Sequence, residues 1–310
     1  MHNRRLSRYI LAAVGATIII CVLTEDALSK EKVLKMSTTT STRTSGLLDV
    51  LLPPFEQDTG IRAKVFAKGT GAAIRDGIDG NVDVIFVHAR ARETKFVKDG
   101  YGTKRYAVMH NDFIILGPPN DPAGIKGMKE ASAALKKIAA GKVLFISRGD
   151  DSGTHTKEQT LWRATGLALD ATTSTIVKKG KKSTVDFLHP QRSEKWYFSI
   201  GQGMGRTITF ADEKRAYTLA DRGTYIKYRY GRDAGLDLEI MCSGDPLLNN
   251  PYGVIPVNPA RHPHVRYDLA QQFAKWLVSA RAQSLISNYR LLGKQLFYPD
   301  AITLVESKLD

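Results

Sequence analysis

An α/β fold with mainly parallel sheet is predicted by this sequence, on three observations. From Lys32 onward, short apolar runs alternate with stretches of helical spacing. At 310 residues the chain is long enough for two domains and a sizeable buried core. No stretch repeats at the roughly 20 to 50 residue period of solenoids and propellers. A composition of 43% hydrophobic and 25% charged residues with 12 prolines also excludes disordered, collagen-like and multi-span membrane chains.

The chain starts with Arg4, Arg5 and Arg8 ahead of the uncharged run Ile10 to Leu23, and Ala27 and Ser29 follow. A basic start, an apolar middle and small residues at the cut are the order of a secretory signal peptide over residues 1–29. The run is shorter than the ~20 residues that span a bilayer. An exported protein is therefore expected, with an uncleaved N-terminal anchor as the alternative. Strand-like runs then fall at Val33-Leu34, Ala63 to Ala67, Val82 to Val87, Phe113 to Leu116 and Val143 to Ile146. Helical spacing connects Leu47, Leu48, Val50, Leu51 and Phe55, and later Phe273, Trp276, Leu277, Ala280, Leu285 and Ile286. These apolar stripes are core positions.

Between Ala171 and Lys195 the alternation fails, and Lys178, Lys179, Lys181, Lys182, Arg192 and Lys195 gather against Asp186 and Glu194. That predicts a solvated, mobile insertion; without aromatics between the lysines to stack bases, it does not read as a nucleic-acid surface. The whole chain carries a formal net charge of +14, which favours an anionic partner without saying which. Two cysteines, Cys21 and Cys242, are too few for a disulfide scaffold or a thiolate zinc site, and Cys242 reads as a buried small hydrophobe.

Three strand ends hand over to helices through small and hydroxylated residues: Ser37 to Thr42 before Gly46, Gly69-Thr70-Gly71 before Ala72, and Ser147 to Thr154 before Leu161. Helix N-termini leave backbone N–H groups unpaired and carry partial positive charge, so such turns suit anions. In open α/β sheets they lie where ligands bind. Ser and Thr can equally be plain helix caps there. Arg148 within the third turn would add a forked, charge-assisted pair of hydrogen bonds to an oxoanion; a surface ion pair with Asp150 or Asp151 is its alternative. Catalytic patterns fit less well. Asp151-Ser152-Gly153 lacks the flanking residues of a serine-protease turn and of the Gly-x-Ser-x-Gly elbow. Gly201-x-Gly203-x-Gly205 follows no clear strand of a βαβ unit and reads as close backbone packing. His262-Pro263-His264 reads as a surface turn.

Ser37 to Thr42 before Ser45-Gly46-Leu47-Leu48, Gly69-Thr70-Gly71, His110 to Phe113, Ser147 to Thr154, Gly201 to Gly205, Leu219 to Tyr225 and Asn250 to Val254 succeed one another in a family order. The chain resembles, over about Val33 to Ala301, the tungstate-binding proteins: periplasmic or extracytoplasmic receptors of tungstate ABC importers. It departs from that family at Arg43 and Thr44, where an acidic residue is common, and in the longer, more basic 171–195 stretch.

The resemblance implies a two-lobed type II periplasmic-binding-protein fold with a ligand cleft between the lobes. Lobe I would hold residues 30–112 and 255–310 and lobe II residues 113–254, with crossings at His110 to Phe113 and Tyr252 to Ile255. It implies Thr40, Ser41 and Thr70 from one lobe and Arg148, Ser152, Gly153 and Thr154 from the other as ligands of a tungstate oxoanion. Tungsten would be bound only as the oxoanion, with no direct metal-cation site and no cofactor. A monomer, it would hand its ligand to a membrane permease of an ABC transporter and bind no nucleic acid. At the end of the Val82 to Val87 run stand His88, Ala89 and Arg90 rather than a carboxylate, so phosphate, which keeps a proton near neutral pH, is expected to be rejected. Two alternatives stay open: a general molybdate/tungstate or phosphate receptor, and, in another class, an exported serine hydrolase using Ser152.

Overall fold

The structure is a computed structural model that describes residues 31–178, 181–233 and 235–301; the signal-peptide expectation for 1–29 lies outside them. One lobe begins with β1 (Lys32–Thr39), β2 (Ile61–Lys68) and β3 (Val84–Val87), connected by helices α1 (Thr40–Ser45), α2 (Leu47–Thr59) and α3 (Thr70–Ile78). After α4 (Arg90–Lys98) comes the long strand β4 (Tyr106–Gly117). The second lobe holds α5 (Ala131–Ala140), β5 (Phe145–Ser147), α6 (Gly153–Ala164), β6 (Leu169–Lys178), β7 (Lys181–Pro190), β8 (Tyr197–Ser199) and α7 (Met204–Glu213). It is completed by β9 (Tyr217–Asp221), α8 (Arg222–Tyr230) and β10 (Glu239–Cys242). The chain returns through β11 (Asn249–Pro256) to α9 (Tyr267–Leu277), α10 (Ala280–Asn288) and the short strands β12 (Arg290–Leu291), β13 (Lys294–Gln295) and β14 (Tyr298–Pro299).

The main sheet runs β2-β1-β3-β11-β4-β9-β5-β8. It is mixed, not mainly parallel as the sequence suggested. β1 pairs parallel with β2 and β3, and β5 with β8 and β9, while β11 runs antiparallel to both β3 and β4, and β4 antiparallel to β9. The reason lies in β4 and β11, which pass between the lobes in opposite directions. Up to Asp112, β4 pairs with β11; from Phe113, opposite Asp221, it pairs with β9.

That register orients the site. β1 and β3 run the same way as β4, so their carboxyl ends advance toward the junction at Asp112 and Phe113. β5 and β9 run against β4, so theirs advance toward it from the other side. The strand ends of the two lobes thus face one another, the arrangement in which open α/β sheets bind ligands.

Each lobe buries its own core. Around α2 and α9 most of the predicted stripe is inside: Leu47, Leu48, Leu51 and Phe55 pack with Phe273 and Leu277, and the Phe55 ring meets Phe273 edge-on at 4.9 Å, whereas Val50 and Ala280, also expected in the core, fall on the solvent side of their helices and Leu285 is half-buried. In the other lobe Trp162, Phe145, Tyr197 and Trp196 build an aromatic cluster. The 171–195 stretch is not patternless: β6 and β7 form an antiparallel hairpin paired from Leu169↔Pro190 to Lys178↔Lys181. Val185 and Phe187 are buried while Thr184 and Asp186 are exposed, a period of two that the surrounding lysines obscured.

Candidate functional site

At the carboxyl end of β1, Thr39 caps α1, its Oγ1 accepting from the Thr42 amide at 3.1 Å. The same oxygen lies 2.6 Å from Thr42 Oγ1 and 3.0 Å from Ser41 Oγ. His88, the first residue after β3, brings Nε2 to 3.1 Å from Thr39 Oγ1 and 3.0 Å from Ser41 Oγ. Its Nδ1 faces Asn250 Oδ1 on β11 at 3.2 Å, and its ring stacks on Tyr252 with centroids 4.6 Å apart. The Asn250 amide donates to Asn111 Oδ1 at 2.7 Å, so the two crossing strands hold the imidazole from behind. Desolvation by burial holds the His88 pKa below the usual histidine value, opposed by the Asn250 hydrogen bond and the Asp221 carboxylate.

Ser41 therefore stands in a hydroxyl cluster. Thr40 opens α1 with an exposed side chain, and Thr70 heads α3 after Gly69 at the end of the neighbouring strand. Behind the cluster, the Ser37 hydroxyl donates to Asp76 Oδ2 at 2.8 Å, and Lys68 pairs with that carboxylate at 2.7 Å.

The facing turn follows β5. Gly149 and Asp151 adopt positive φ of 58° and 55°, which folds the loop back on itself. A Cβ on Gly149 would fall 1.7 Å from Ser199 Oγ, so only glycine lets this turn pass β8. Asp150 is buried, and its Oδ1 accepts from the Ser152 amide at 3.2 Å and lies 3.0 Å from Arg148 Nε. Of the two ion-pair partners that the sequence left open for Arg148, the structure selects Asp150. Arg148 Nη1 reaches Thr154 Oγ1 at 3.5 Å, while Ser152 Oγ caps α6 by accepting from the His155 amide at 3.3 Å. Arg148, Ser152 and Thr154 are thereby brought together. Gly153, the first residue of α6, is exposed, and a Cβ there would meet nothing within 4 Å. Beneath the turn the Ser147 hydroxyl donates to Glu158 Oε2 at 2.8 Å, and Tyr197 and Trp162 donate to Oε1 at 2.7 and 3.2 Å. Burial pushes the Glu158 carboxyl up to about 7 against those three hydrogen bonds.

The junction between the lobes is braced from α8. Arg222, the first residue of α8, donates a fork to Asp112 at 2.6 and 2.5 Å. Lys227 on α8 donates to the Thr44 carbonyl on α1, and a small cavity of about 50 Å³ is lined by Ser41, Asn111, Asp221, Thr224, Lys227 and Tyr252 among others. Sequence reasoning did not single out Thr39, His88 or Asn250. The signal for His88 was its position at the end of a buried strand, where only the lack of a carboxylate was noticed.

Other sequence candidates resolve as packing. Gly203 caps α7 with open space where a Cβ would stand, whereas a Cβ on Gly205 would fall 1.8 Å from the Tyr228 hydroxyl, so Gly205 serves close helix packing. His262 and His264 each bring Nε2 to a backbone carbonyl, Ile78 O at 2.9 Å and Gly80 O at 2.8 Å. Cys242 is buried, which raises its thiol to about 11. Among the described residues no group of three or more His, Cys, Asp or Glu is placed to hold a metal ion, and no helix is long and apolar enough to cross a membrane.

Two α/β lobes joined by shared strands, with the polar turns of each lobe at strand ends that face the junction, define a two-lobed binding protein. The chain belongs to the PBP superfamily, whose domain matches residues 26–281. It is 45% identical over 270 residues to the tungstate-binding protein TupA of Peptoclostridium acidaminophilum, covering 86% of this chain and 85% of that one. Among solved structures it is similar to the tungstate-binding protein TupA from Desulfovibrio alaskensis G20, with 47% identity, a TM-score of 0.76 and coverage of 87% of this chain and 99% of that one. A structure described as the tungstate ABC transporter from Geobacter sulfurreducens is 49% identical with a TM-score of 0.66, covering 84% of this chain and all of the other (100%).

Proposed function

We propose that this protein is the extracytoplasmic receptor of an ABC importer and captures tungstate in the cleft between its lobes. The observation that carries the reading is the pairing of opposites across the junction: a neutral hydroxyl cluster at the end of β1, and a largely buried guanidinium, Arg148, at the end of β5. Hydroxyls supply short, directional donors to tetrahedral oxygens, and the guanidinium supplies charge. Closure of one lobe on the other would desolvate both sets of donors around one anion and strengthen each hydrogen bond. The relatives named for tungstate supply the identity of that anion.

In this reading Ser41, Arg148, Ser152, Gly153 and Thr154 contact the oxoanion, joined by Thr39, with Thr40 and Thr70 at the rim. Lobe I is 30–112 with 255–310 and lobe II is 113–254. The chain works as a monomer, is exported by its first 29 residues, passes tungstate to a membrane permease, and needs neither cofactor nor nucleic acid. At the end of β3 stands His88 and no carboxylate, which supports weak binding of phosphate, an anion that must donate a proton to an acceptor. Titration calorimetry with tungstate, molybdate, sulfate and phosphate tests the reading. Tight binding of tungstate with weak phosphate binding at pH 7 is expected; molybdate displacing tungstate at equal concentration would make this a general molybdate/tungstate receptor, and silence with every oxoanion would sink it.

A further inference from the structure

We propose that His88 takes up a proton when an oxoanion enters the cleft, and so releases the hydroxyl hydrogens of Thr39 and Ser41 to the anion. The inference rests on the receptor reading and adds a proton linkage at the same site. It starts from the imidazole's tautomer. Asn250 donates through Nδ2 to Asn111 Oδ1, which leaves its Oδ1 toward His88 Nδ1. An amide oxygen only accepts, so Nδ1 carries the hydrogen. In the neutral ring Nε2 is then a lone-pair acceptor, and it lies 3.1 and 3.0 Å from the Thr39 and Ser41 hydroxyls.

A hydroxyl has one hydrogen to give. Thr39 Oγ1 already accepts from the Thr42 amide and lies 2.6 Å from the Thr42 hydroxyl; with Thr42 donating there, the hydrogens of Thr39 and Ser41 are the hydroxyl donors next to His88 that this turn can offer an incoming oxygen beside its backbone N–H groups. While Nε2 is bare, one of them is drawn to the ring. Once Nε2 is protonated the bond reverses: Nε2–H donates to the hydroxyl oxygens and both hydrogens turn outward. The proton comes from solvent, and the imidazolium adds one positive charge beside a dianion. His88 is thus a positioning residue that acts through Thr39 and Ser41.

The surroundings set the direction. From β1 and α1 the ring meets only the neutral Thr39 and Ser41; from β11 it meets Asn250 and the stacked Tyr252, a phenol held neutral by burial; and from β9 it feels the Asp221 carboxylate. Arg90 and Glu93 follow on α4, Glu93 being paired with Arg105. Burial keeps the free-state pKa of His88 below the usual value, and a bound dianion raises it. Between the free and bound values, binding takes up a proton. Affinity therefore rises as pH falls through the bound-state pKa and levels off below the free-state pKa.

The test is calorimetry of tungstate binding near pH 8, where tungstate and molybdate are fully deprotonated, in buffers of different ionisation enthalpy. The intact protein is expected to take up a fraction of a proton, at most one, per tungstate bound, and to lose up to about tenfold in affinity per pH unit within the window. His88→Gln is expected to take up none and to bind with a flat pH profile. Nitrogen NMR of the histidine-labelled intact protein, which needs no variant to fold, should show His88 with hydrogen on Nδ1 alone when free and on both nitrogens when tungstate is bound. Undiminished uptake in His88→Gln, or a neutral His88 in the bound state, overturns the linkage while leaving the receptor reading standing. Failure of tungstate to bind at all overturns both.

Discussion

Both donor turns rest on a serine that donates to a buried carboxylate, but the two carboxylates live in different electrostatic surroundings. Behind the turn after β1, Ser37 donates to Asp76, which also has the cation of Lys68 at 2.7 Å. Behind the turn after β5, Ser147 donates to Glu158, whose other partners are the neutral Tyr197 and Trp162. The charge distribution is reversed in front. The β1 turn shows neutral hydroxyls and an imidazole, whereas the β5 turn shows Arg148 against Asp150. In the receptor reading proposed above, geometry and charge for one tetrahedral anion are thus divided between the lobes, and neither half on its own would make a complete site.

The division can be broken most strongly at Arg148. Arg148→Ala is expected to cost about 3 kcal/mol or more of tungstate affinity, roughly a hundredfold, because a charge-assisted fork is lost in a desolvated cleft; calorimetry on a folded variant checks it. Next in size is Gly149→Ala, which places a methyl group against Ser199 Oγ at a positive φ. A loss of about 2 to 3 kcal/mol of stability is expected in thermal or denaturant unfolding. A smaller loss would mean that the β5 turn is less rigid than its geometry implies.

Glu158 sharpens the contrast between the two supporting carboxylates. Its pKa is raised from 4.5 to about 7, so between those values the folded state holds a proton that the unfolded chain has released. Stability should accordingly fall as pH rises from 4.5 toward 7, by an amount on the order of 3 kcal/mol, and level off above. Unfolding of Glu158→Gln followed over the same range should lack that slope. The smallest effect belongs to the basic hairpin. Lys182 is exposed on β7, and Lys182→Ala should change tungstate affinity by less than about 0.5 kcal/mol. Equal losses from Lys182→Ala and Arg148→Ala would show that diffuse positive charge, not a divided cleft, holds the anion.

Much of this organisation was legible in the residues, and the part that was not has a common cause. Leu47 to Phe55 and Phe273 to Leu277 announced their helices because helical spacing is set within one turn of chain. The hairpin of β6 and β7 was hidden because its period of two lies on Val185 and Phe187, beneath a run of lysines that dominates the composition. Parallel order was overestimated because strand direction is a property of pairs, and β4 and β11 are paired across more than a hundred residues.

The sequence by itself determined where the candidate donor turns stand. Hydroxyls and glycines between a strand and a helix create free N–H groups and caps through geometry that spans only a few residues, so the turns that hold Ser41, Arg148, Ser152 and Thr154 could be placed from order alone. Tertiary structure decided which groups work together. It joined His88 to Asn250, 162 residues away, and to the hydroxyls of Thr39 and Ser41. It also chose Asp150 over Asp151 for Arg148, the positive φ of Asp151 falling just after the buried carboxylate. Such choices depend on strand register and on the direction in which a turn closes, and those are fixed only when the two crossing strands bring the ends of β1 and β5 face to face.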